Sequence, residues 1–188
     1  MRAVSPERAA EALRSGKVAL VPTETVVGLV AAESGLSRVR EIKGRDADKP
    51  IALLCRSAQE AFGLATNVPP LAEKLADLYW PGPLTLVLDL PNGNTIGVRV
   101  PAGEAVQELL EAYGGPLYAT SANLSGEPAR AAPDEVEPLV LEAVDMVVSG
   151  EEGSGEASAV VDLSRGKVQL LRTDSELSTQ KLARLASE

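Results

Sequence analysis

The sequence predicts an α/β protein in which a twisted β-sheet of mixed strand direction is flanked by helices. Short Val- and Leu-rich runs alternate with longer Glu-, Ala- and Leu-rich segments, the pattern that strands and amphipathic helices produce in such folds. Hydrophobic residues make up 45% of the 188 residues, which is enough for a substantial core. No repeat or linker-like segment divides the chain, so residues 1–188 are expected to form a single domain.

Helices are expected where apolar residues recur at helical spacing. The first begins with Ser5 as its N-cap and Pro6 at the first helical position. In a later helix, Leu71, Leu75 and Leu78 recur at the spacing of one apolar face. The later helices are expected at residues 36–43, 58–64, 70–79, 106–112 and 176–185, with another beginning near Pro133 or Asp134.

Strands are expected at the short apolar runs between these helices. They cover residues 18–21, 51–54, 84–90, 95–100, 117–120, 144–148, 159–163 and 168–172. The turn residues Pro91–Asn94 join two of these strands into a hairpin. Between two late strands, the Gly- and Glu-rich segment Gly150–Gly155 is expected to be a mobile flap over a site.

Residue usage excludes several kinds of site. The chain contains no histidine, which removes Ser-His-Asp and Cys-His nucleophile systems and histidine-ligated zinc. Its one cysteine, Cys55, lies in an apolar strand, where buried packing is expected and an internal disulfide is impossible. Catalysis must therefore rely on cations, carboxylates, hydroxyls, backbone groups or a hydrated metal.

Charge and hydropathy limit the partners and the compartment. The formal net charge of −9 argues against broad nucleic-acid binding as the main function. The longest apolar runs are far shorter than the roughly 20 residues that span a bilayer, so no membrane segment is expected. Charged residues interrupt the N-terminal segment where a signal peptide would be apolar. The protein is therefore expected to be cytoplasmic.

Hydroxyls and cations lie close together near the start of the chain. The segment Pro22-Thr23-Glu24-Thr25 follows the first expected strand, and Lys43, Arg45 and Lys49 lie on or just past the end of helix 36–43. Hydroxyls and backbone donors that face such cations suit a triphosphate or a carboxylate. Alternatively, the cations form a solvated helix end that complements the helix dipole.

Two further polar groups come from expected strands. Arg99 interrupts a strand otherwise built for burial, so it requires an anionic partner or solvent. A ligand anion, a structural ion pair and an exposed strand face remain open as explanations. Ser121 and Asn123 follow the apolar strand 117–120 and would hold a polar ligand, or form an ordinary turn or helix cap.

Five short motifs, taken together and in this order, resemble the YrdC-like family of threonylcarbamoyl-AMP synthases. The motifs are Pro22-Thr23-Glu24-Thr25, Lys43-Gly44-Arg45, Trp80-Pro81-Gly82-Pro83, Arg99-Val100-Pro101 and Ser121-Ala122-Asn123. The resemblance extends over residues 6–172, nearly the whole chain, so coincidence is a poor explanation. On these residues the chain is identified as a member of that family, with a single YrdC-like domain.

The resemblance implies an ATP-dependent nucleotidyltransferase. Such enzymes join L-threonine, bicarbonate and ATP into threonylcarbamoyl-AMP and pyrophosphate, and the product feeds a tRNA threonylcarbamoyl-transferase machinery. Mg²⁺ is expected to accompany ATP, with no metal site of the protein's own. The residues implied are Lys43 and Arg45 for catalysis; Arg45, Lys49, Thr95, Ser121, Asn123 and Arg172 for ATP; and Thr23, Arg99, Ser121 and Ser158 for threonine.

Departures from the family pattern leave alternatives open. Val27 stands where many relatives have tyrosine, and Leu54 where some have histidine, so the sequence does not rank threonine against serine. A YciO-like paralogue that acts on another carbamoyl or acyl adenylate is the first alternative. The second is an RNA-binding module, or at least a weak contact with tRNA or duplex RNA, although the scarcity of aromatic residues argues against base stacking.

Overall fold

A β-sheet of nine strands runs through the described part of the chain, residues 3–44 and 50–187 of a computed structural model. The strands are Val18–Val21 (β1), Gly28–Ala31 (β2), Ala52–Leu54 (β3), Leu84–Asp89 (β4), Thr95–Arg99 (β5), Leu117–Ser121 (β6), Met146–Val147 (β7), Ala159–Asp162 (β8) and Gln169–Arg172 (β9). Their order across the sheet is β7-β1-β2-β6-β3-β5-β4-β8-β9. The pairs β1/β7, β3/β5 and β4/β8 are parallel and the other neighbours are antiparallel, which confirms the predicted mixed sheet.

Helices flank this sheet, as the sequence predicts. They are Pro6–Arg14 (α1), Leu36–Lys43 (α2), Ala58–Gly63 (α3), Pro70–Tyr79 (α4), Glu104–Tyr113 (α5), Pro138–Ala143 (α6) and Thr179–Ser187 (α7). At the start of α1, the Ser5 hydroxyl accepts a hydrogen bond from the Arg8 backbone nitrogen at 3.5 Å, and Pro6 takes the first helical position. At the end of α2, Gly44 adopts the left-handed conformation (φ 55°) that glycine tolerates best.

Helices cover one face of the sheet across its whole width. On this face α3, α4 and α7 pack over β4, β5 and β8, while α2 and α6 pack over β1 and β2. Tyr118 contacts both groups and joins them into one apolar layer. The apolar side chains of this layer come from alternate positions of each strand, because successive side chains in a strand point to opposite faces.

The opposite face is covered over only half of its width. There α1 and α5 pack on β1, β2, β6 and β7 through buried residues such as Leu13, Leu109 and Val21. Leu54 lies at the margin of this cluster, and in the β3/β5 pairing it stands opposite Arg99. Side chains of Arg99 and its neighbours on this face therefore lie beyond the helices, over the uncovered strands.

Some sequence-based expectations need correction. The strand β2, which pairs with β1, was not predicted, since its run Val26–Ala31 is uniformly apolar and lacks the alternation of a half-buried strand. A short 3-10 turn, Pro133–Glu135, precedes α6, which begins only at Pro138, and α7 begins at Thr179 instead of residue 176.

The buried face of α4 also differs from the expected one. Leu75 is fully buried, but the Leu78 side chain is 57% exposed. The helix instead buries Ala72, Ala76 and Tyr79 beside Leu75. Because α4 carries apolar residues on more than one side, sequence spacing alone permits either face.

The predicted burial of Cys55 is confirmed. Cys55 is fully buried in the core, where burial, the larger cause, and the nearby Glu60 carboxylate raise the pKa of its thiol to about 12. No helix within residues 3–44 and 50–187 is long and apolar enough to cross a membrane.

The burial difference within α4 yields a test of the fold. Leu75→Ala removes a fully buried side chain and is expected to lower the free energy of unfolding by about 2–5 kcal/mol, measured by urea denaturation. Leu78→Ala, three residues along the same helix, is the matched control and is expected to change it by about 0.5 kcal/mol or less. Equal losses for the two variants would contradict the observed orientation of α4.

Candidate functional site

A cavity of about 540 Å³ lies on the uncovered part of the sheet. Side chains from β3, β4, β5, β6, β8 and β9 line it, together with the segment that follows β1. Six of the residues predicted from sequence meet there: Thr23, Thr95, Arg99, Ser121, Ser158 and Arg172. Lys43 and Asn123 lie behind its wall, as described below, and Arg45 and Lys49 are outside the described residues.

The floor of the cavity consists of small side chains. On β5, Thr95, Gly97 and Arg99 alternate toward the cavity, whereas the intervening residues pack into the core. A Cβ at Gly97 would lie 3.2 Å from Thr85 Cγ2 and 3.3 Å from Ala52 Cβ. A larger residue at position 97 would therefore crowd the floor of the cavity. The sheet thus leaves room for a ligand where a helix would otherwise pack.

The Arg99 guanidinium is the most constrained polar group of the cavity. Its Nε donates to the Gly82 carbonyl oxygen at 3.0 Å, and its Nη2 donates to Glu24 Oε1 at 2.6 Å and to Thr25 Oγ1 at 3.0 Å. The side chain is 8% exposed. Among the described residues, Nη1 has no hydrogen-bond partner, so this nitrogen is the donor left for a ligand.

Sequence reasoning left open whether Arg99 meets a ligand or a structural ion pair, and the structure contains the ion pair. Because Nε donates to Gly82 and Nη2 donates to both Glu24 and Thr25, neither edge of the guanidinium can grip a carboxylate with two parallel bonds. Arg99 can still contact a ligand through Nη1. A contact of Arg99 with a ligand carboxylate therefore uses one nitrogen.

Glu24 is the functional candidate that sequence reasoning missed. Its Oε1 accepts from Arg99, and its Oε2 accepts from the Gly103 backbone nitrogen at 3.0 Å, directly before α5. Burial raises the pKa of this carboxyl, but the charge of Arg99 and backbone hydrogen bonds outweigh it, so the pKa is lowered overall. Glu24 is therefore ionised at neutral pH. The available signal was its place inside the Pro22–Thr25 motif.

Thr23 and Thr25 form a directed chain of hydroxyls. Thr23 Oγ1 donates to the Val26 carbonyl oxygen at 2.7 Å and lies 2.8 Å from Thr25 Oγ1. Because Thr23 Oγ1 donates its single hydroxyl proton to the Val26 carbonyl oxygen, it must accept the hydrogen bond from Thr25 Oγ1. The Thr25 oxygen in turn accepts from Arg99. The chain runs from the guanidinium through both hydroxyls to the backbone, and it fixes the shape of the turn.

A second guanidinium lines the same cavity. Arg172, at the end of β9, donates from Nε to the Ser158 carbonyl oxygen at 2.6 Å and from Nη2 to Ser158 Oγ at 3.1 Å. Ser158 Oγ in turn lies 3.0 Å from Thr85 Oγ1. Partial burial and the positive charge of Arg99 lower the pKa of Arg172. Within the described residues Arg172 forms no ion pair, although the nearby Asp174 carboxylate favours its charged form.

Lys43 is buried, with 4% of the residue exposed, and its ammonium points at the loop after β6. Its Nζ donates to the carbonyl oxygens of Ser121 and Asn123, the second at 2.7 Å, and lies 3.4 Å from Asn123 Oδ1. The predicted Lys43 and Asn123 are thus brought together with Ser121. Ser121 lines the cavity, and Lys43 supports it from behind.

Val27 and Leu54, two of the positions at which the chain departs from the family pattern, differ in placement. Val27 is fully buried among the residues that pack under α2 and α6, and it does not line the cavity. Leu54 does line it, beside Arg99. Of the two, only Leu54 is therefore positioned to influence a ligand.

The segment expected to be a flap lies against the Thr23–Thr25 turn. The backbone nitrogen of Ser154 donates to the Glu24 carbonyl oxygen at 3.0 Å, and that of Gly155 donates to the Thr25 carbonyl oxygen at 2.8 Å. A Cβ at Gly153 would lie 2.4 Å from the Thr25 oxygen and 2.5 Å from the Thr23 oxygen, so only glycine fits. The flap prediction concerned motion, which these contacts do not test.

A second cavity of about 620 Å³ shares Thr23 with the first. Carboxylates surround it, from Glu24, Glu104, Glu108, Glu151 and Glu152. Anionic ligands are repelled there and attracted to the cavity that holds Arg99 and Arg172. The arginine-lined cavity is therefore the candidate site.

Comparison with known proteins agrees with the family suggested by the motifs. The Sua5/YciO/YrdC family model, described as "Telomere recombination", matches residues 11–174. The chain is 38% identical over 177 residues to a Pyrococcus abyssi protein named threonylcarbamoyl-AMP synthase, an alignment that covers 87% of this chain and 52% of that protein. The chain thus spans about half the length of that relative.

Solved structures share the fold. A crystal structure of P. abyssi Sua5 complexed with L-threonine superimposes with a TM-score of 0.87 at 34% identity and covers 96% of this chain and 56% of that chain. A crystal structure of E. coli YciO superimposes with a TM-score of 0.79 at 26% identity and covers 89% and 87%, respectively. The chain belongs to the Sua5/YciO/YrdC family.

Proposed function

We propose that this chain is a threonylcarbamoyl-AMP synthase, an enzyme that forms L-threonylcarbamoyl-adenylate and pyrophosphate from L-threonine, bicarbonate and ATP. The relative named for this activity and the neighbouring structure that holds L-threonine support the proposal. The observation that carries it is the cavity itself, which is lined by two guanidinium groups: Arg99, whose Nη1 is left for a ligand, and Arg172, which bonds only Ser158. Such a cavity suits two different anions held side by side.

The chemistry requires no histidine. The amine of threonine captures bicarbonate as a carbamate with loss of water, and a carbamate oxygen attacks the α-phosphorus of ATP. The bond from that phosphorus to the bridging oxygen breaks, and pyrophosphate leaves. Because every reactant is anionic when it reacts, the protein contributes position and charge neutralisation more than proton transfer.

Within this proposal, the threonine end of the site comprises Arg99, with Leu54 beside it and Thr23 shaping the turn. Ser121 lies where the amino acid and the nucleotide meet, and Ser158 holds Arg172 in place. Thr95 and Arg172 contact the nucleotide. Asn123 acts through the loop that Lys43 supports, and Arg45 and Lys49 are assigned to the phosphates from the sequence motif.

Mg²⁺ enters this proposal with ATP. Within residues 3–44 and 50–187, no group of three His, Cys, Asp or Glu side chains is arranged to hold a metal. The two carboxylates that approach the arginine-lined cavity are engaged: Glu24 by Arg99 and Gly103, and Asp162 by Ser164 and Lys167. The residues therefore fit a Mg²⁺ that is held chiefly by phosphate oxygens and water, as is usual for this ion.

The product would pass to a transferase that modifies tRNA, and we place the protein in the cytoplasm with its substrates. A weak direct contact with tRNA or duplex RNA remains part of the proposal, but the net charge of −9 makes it secondary. A titration of RNA binding against salt separates this contact from nucleotide binding in the cavity.

A YciO-like activity on another carbamoyl or acyl adenylate is the second candidate. The observation that favours it is Leu54, which places an apolar side chain beside Arg99 where some synthases have histidine, and the E. coli YciO structure shares the fold. The two candidates differ in the amine that they accept, so substrate dependence decides between them.

The proposed activity predicts release of pyrophosphate from ATP and bicarbonate that depends on L-threonine, because the carbamate of the amino acid is the nucleophile. Serine and glycine serve as alternative amines, and mass spectrometry identifies the adenylate. Nucleotide binding without threonine-dependent release would reject the synthase and support the YciO-like alternative.

Lys43→Ala is expected to lower turnover by at least about tenfold, which corresponds to about 1.4 kcal/mol. The substitution removes the donor of two buried carbonyl oxygens and releases the loop that carries Ser121 and Asn123. Steady-state pyrophosphate release measures the effect, and Lys181→Ala, on the exposed side of α7, is the control. Unchanged turnover in Lys43→Ala would remove Lys43 from the site. Arg45→Ala is expected to reduce turnover similarly on the basis of the motif.

Arg99→Lys is expected to raise the KM for threonine by at least about tenfold while the KM for ATP changes by about threefold or less. A lysine ammonium cannot replace the planar group that bonds Gly82, Thr25 and Glu24 and still offers Nη1 to the cavity. Arg130→Lys, which alters an ion pair with Glu137 outside the cavity, is the matched control. Equal increases in both KM values would instead indicate a purely structural arginine.

A further inference from the structure

The two arginines of the cavity differ in charge compensation. Arg99 forms an ion pair with Glu24 at 2.6 Å, whereas Arg172 bonds only neutral oxygens of Ser158. An anion that enters the cavity therefore meets one guanidinium that is paired directly with a carboxylate and one that is not. The reaction needs two anions of unequal charge, a carboxylate with one negative charge and a polyphosphate with several.

We propose that Glu24 sorts these two anions: by compensating Arg99, it reserves Arg99 Nη1 for the amino-acid carboxylate and directs the polyphosphate to the side of Arg172. This inference rests on the proposed function and adds a positioning residue to it. Glu24 itself does not line the arginine-lined cavity, so it acts through Arg99 and touches no substrate.

The anchors of the Arg99 guanidinium fix the direction in which Nη1 can donate a hydrogen bond. The guanidinium is planar, so anchoring Nε on Gly82 and Nη2 on Glu24 and Thr25 determines where Nη1 points. Of these anchors, only Glu24 is charged, so it alone forms an ion pair with the guanidinium. Glu24 is itself held on its second oxygen by the Gly103 backbone nitrogen, so the pair cannot rotate freely toward the cavity.

The negative charge of Glu24 reduces the attraction of Arg99 for the polyphosphate. Without the carboxylate, Arg99 would be a cation with 8% of its side chain exposed, and a buried cation seeks an anion. The strongest available anion would be the polyphosphate of the nucleotide, because Coulomb attraction grows with its charge. A phosphate drawn to Arg99 would occupy the place of the amino acid. With Glu24 present, the contact at Nη1 depends on hydrogen-bond direction more than on net charge, which suits a single carboxylate.

The effect of tripolyphosphate on the threonine KM tests this sorting. In Glu24→Gln, which keeps the shape of the side chain but not its charge, we expect the KM to rise at least about tenfold, and tripolyphosphate to compete with threonine. At saturating threonine, kcat is expected to change by about threefold or less. In the wild-type protein, tripolyphosphate is expected to compete with ATP and not with threonine.

Two further variants separate sorting from mere structural support. Glu60→Gln alters an ion pair with Arg56 that lies outside both cavities, and it is expected to behave like the wild type. Glu24→Asp keeps the charge but shortens the side chain, so it is expected to raise the threonine KM without competition by tripolyphosphate. This variant also decides the question if Glu24→Gln fails to fold, because such competition in Glu24→Asp would overturn the proposal. Absence of competition in a folded Glu24→Gln would overturn it equally.

The wild-type measurements distinguish a failure of this inference from a failure of the proposed function. A wild-type protein that releases threonine-dependent pyrophosphate, beside a Glu24→Gln variant that behaves like Glu60→Gln, would overturn the role of Glu24 alone. A wild-type protein that binds threonine in calorimetry without releasing pyrophosphate would overturn the synthase. In that case, competition between tripolyphosphate and threonine, measured by binding, would still test the role of Glu24. A wild-type protein that neither binds nor reacts with threonine would overturn both.

Discussion

The buried guanidinium of Arg99 is the group on which the rest of the site depends. Its three anchors come from segments far apart in the chain: the Gly82 carbonyl from the Trp-Pro-Gly-Pro turn, and Glu24 with Thr25 from the segment after β1. A buried cation without these partners would be strongly unfavourable, so the three motifs must meet wherever Arg99 is retained. This requirement explains physically why such separate motifs occur together in one sequence.

The site also depends on what the fold leaves uncovered. Helices occupy both halves of one face of the sheet but only half of the other. Over the remaining strands, the positions that would pack against a helix carry small or polar side chains, such as Thr85, Thr95 and Gly97. The same alternation that buries Val98 on one side thus presents ligand-binding groups on the other.

Much of this arrangement was predictable, because apolar runs and their breaks carry strong local signals. The bounds of α4 and the hairpin of β4 and β5 follow from such signals. Of the six predicted residues that line the cavity, Thr23, Arg99 and Ser121 come from motifs, and the other three from the family resemblance. Apart from β2, whose uniformly apolar run hides its strand character, the main misses share one physical cause, which is dependence on distant contacts. Which side of α4 is buried is decided by the sheet beneath it, and the roles of Glu24 and Lys43 are decided by partners 75 to 80 residues away.

The packing of segment 150–155 determines where residues can be inserted without disturbing the site. A Cβ at Gly150 would lie 2.6 Å from Ala105 Cβ, and one at Gly153 would lie 2.4 Å from the Thr25 oxygen, so both ends are tightly fitted. Between them, Glu151 and Glu152 are exposed at the rim of the acidic cavity. Insertions between these glycines would leave the Thr23–Thr25 turn undisturbed. The loop is therefore a natural place for this scaffold to gain new binding surfaces during evolution or engineering.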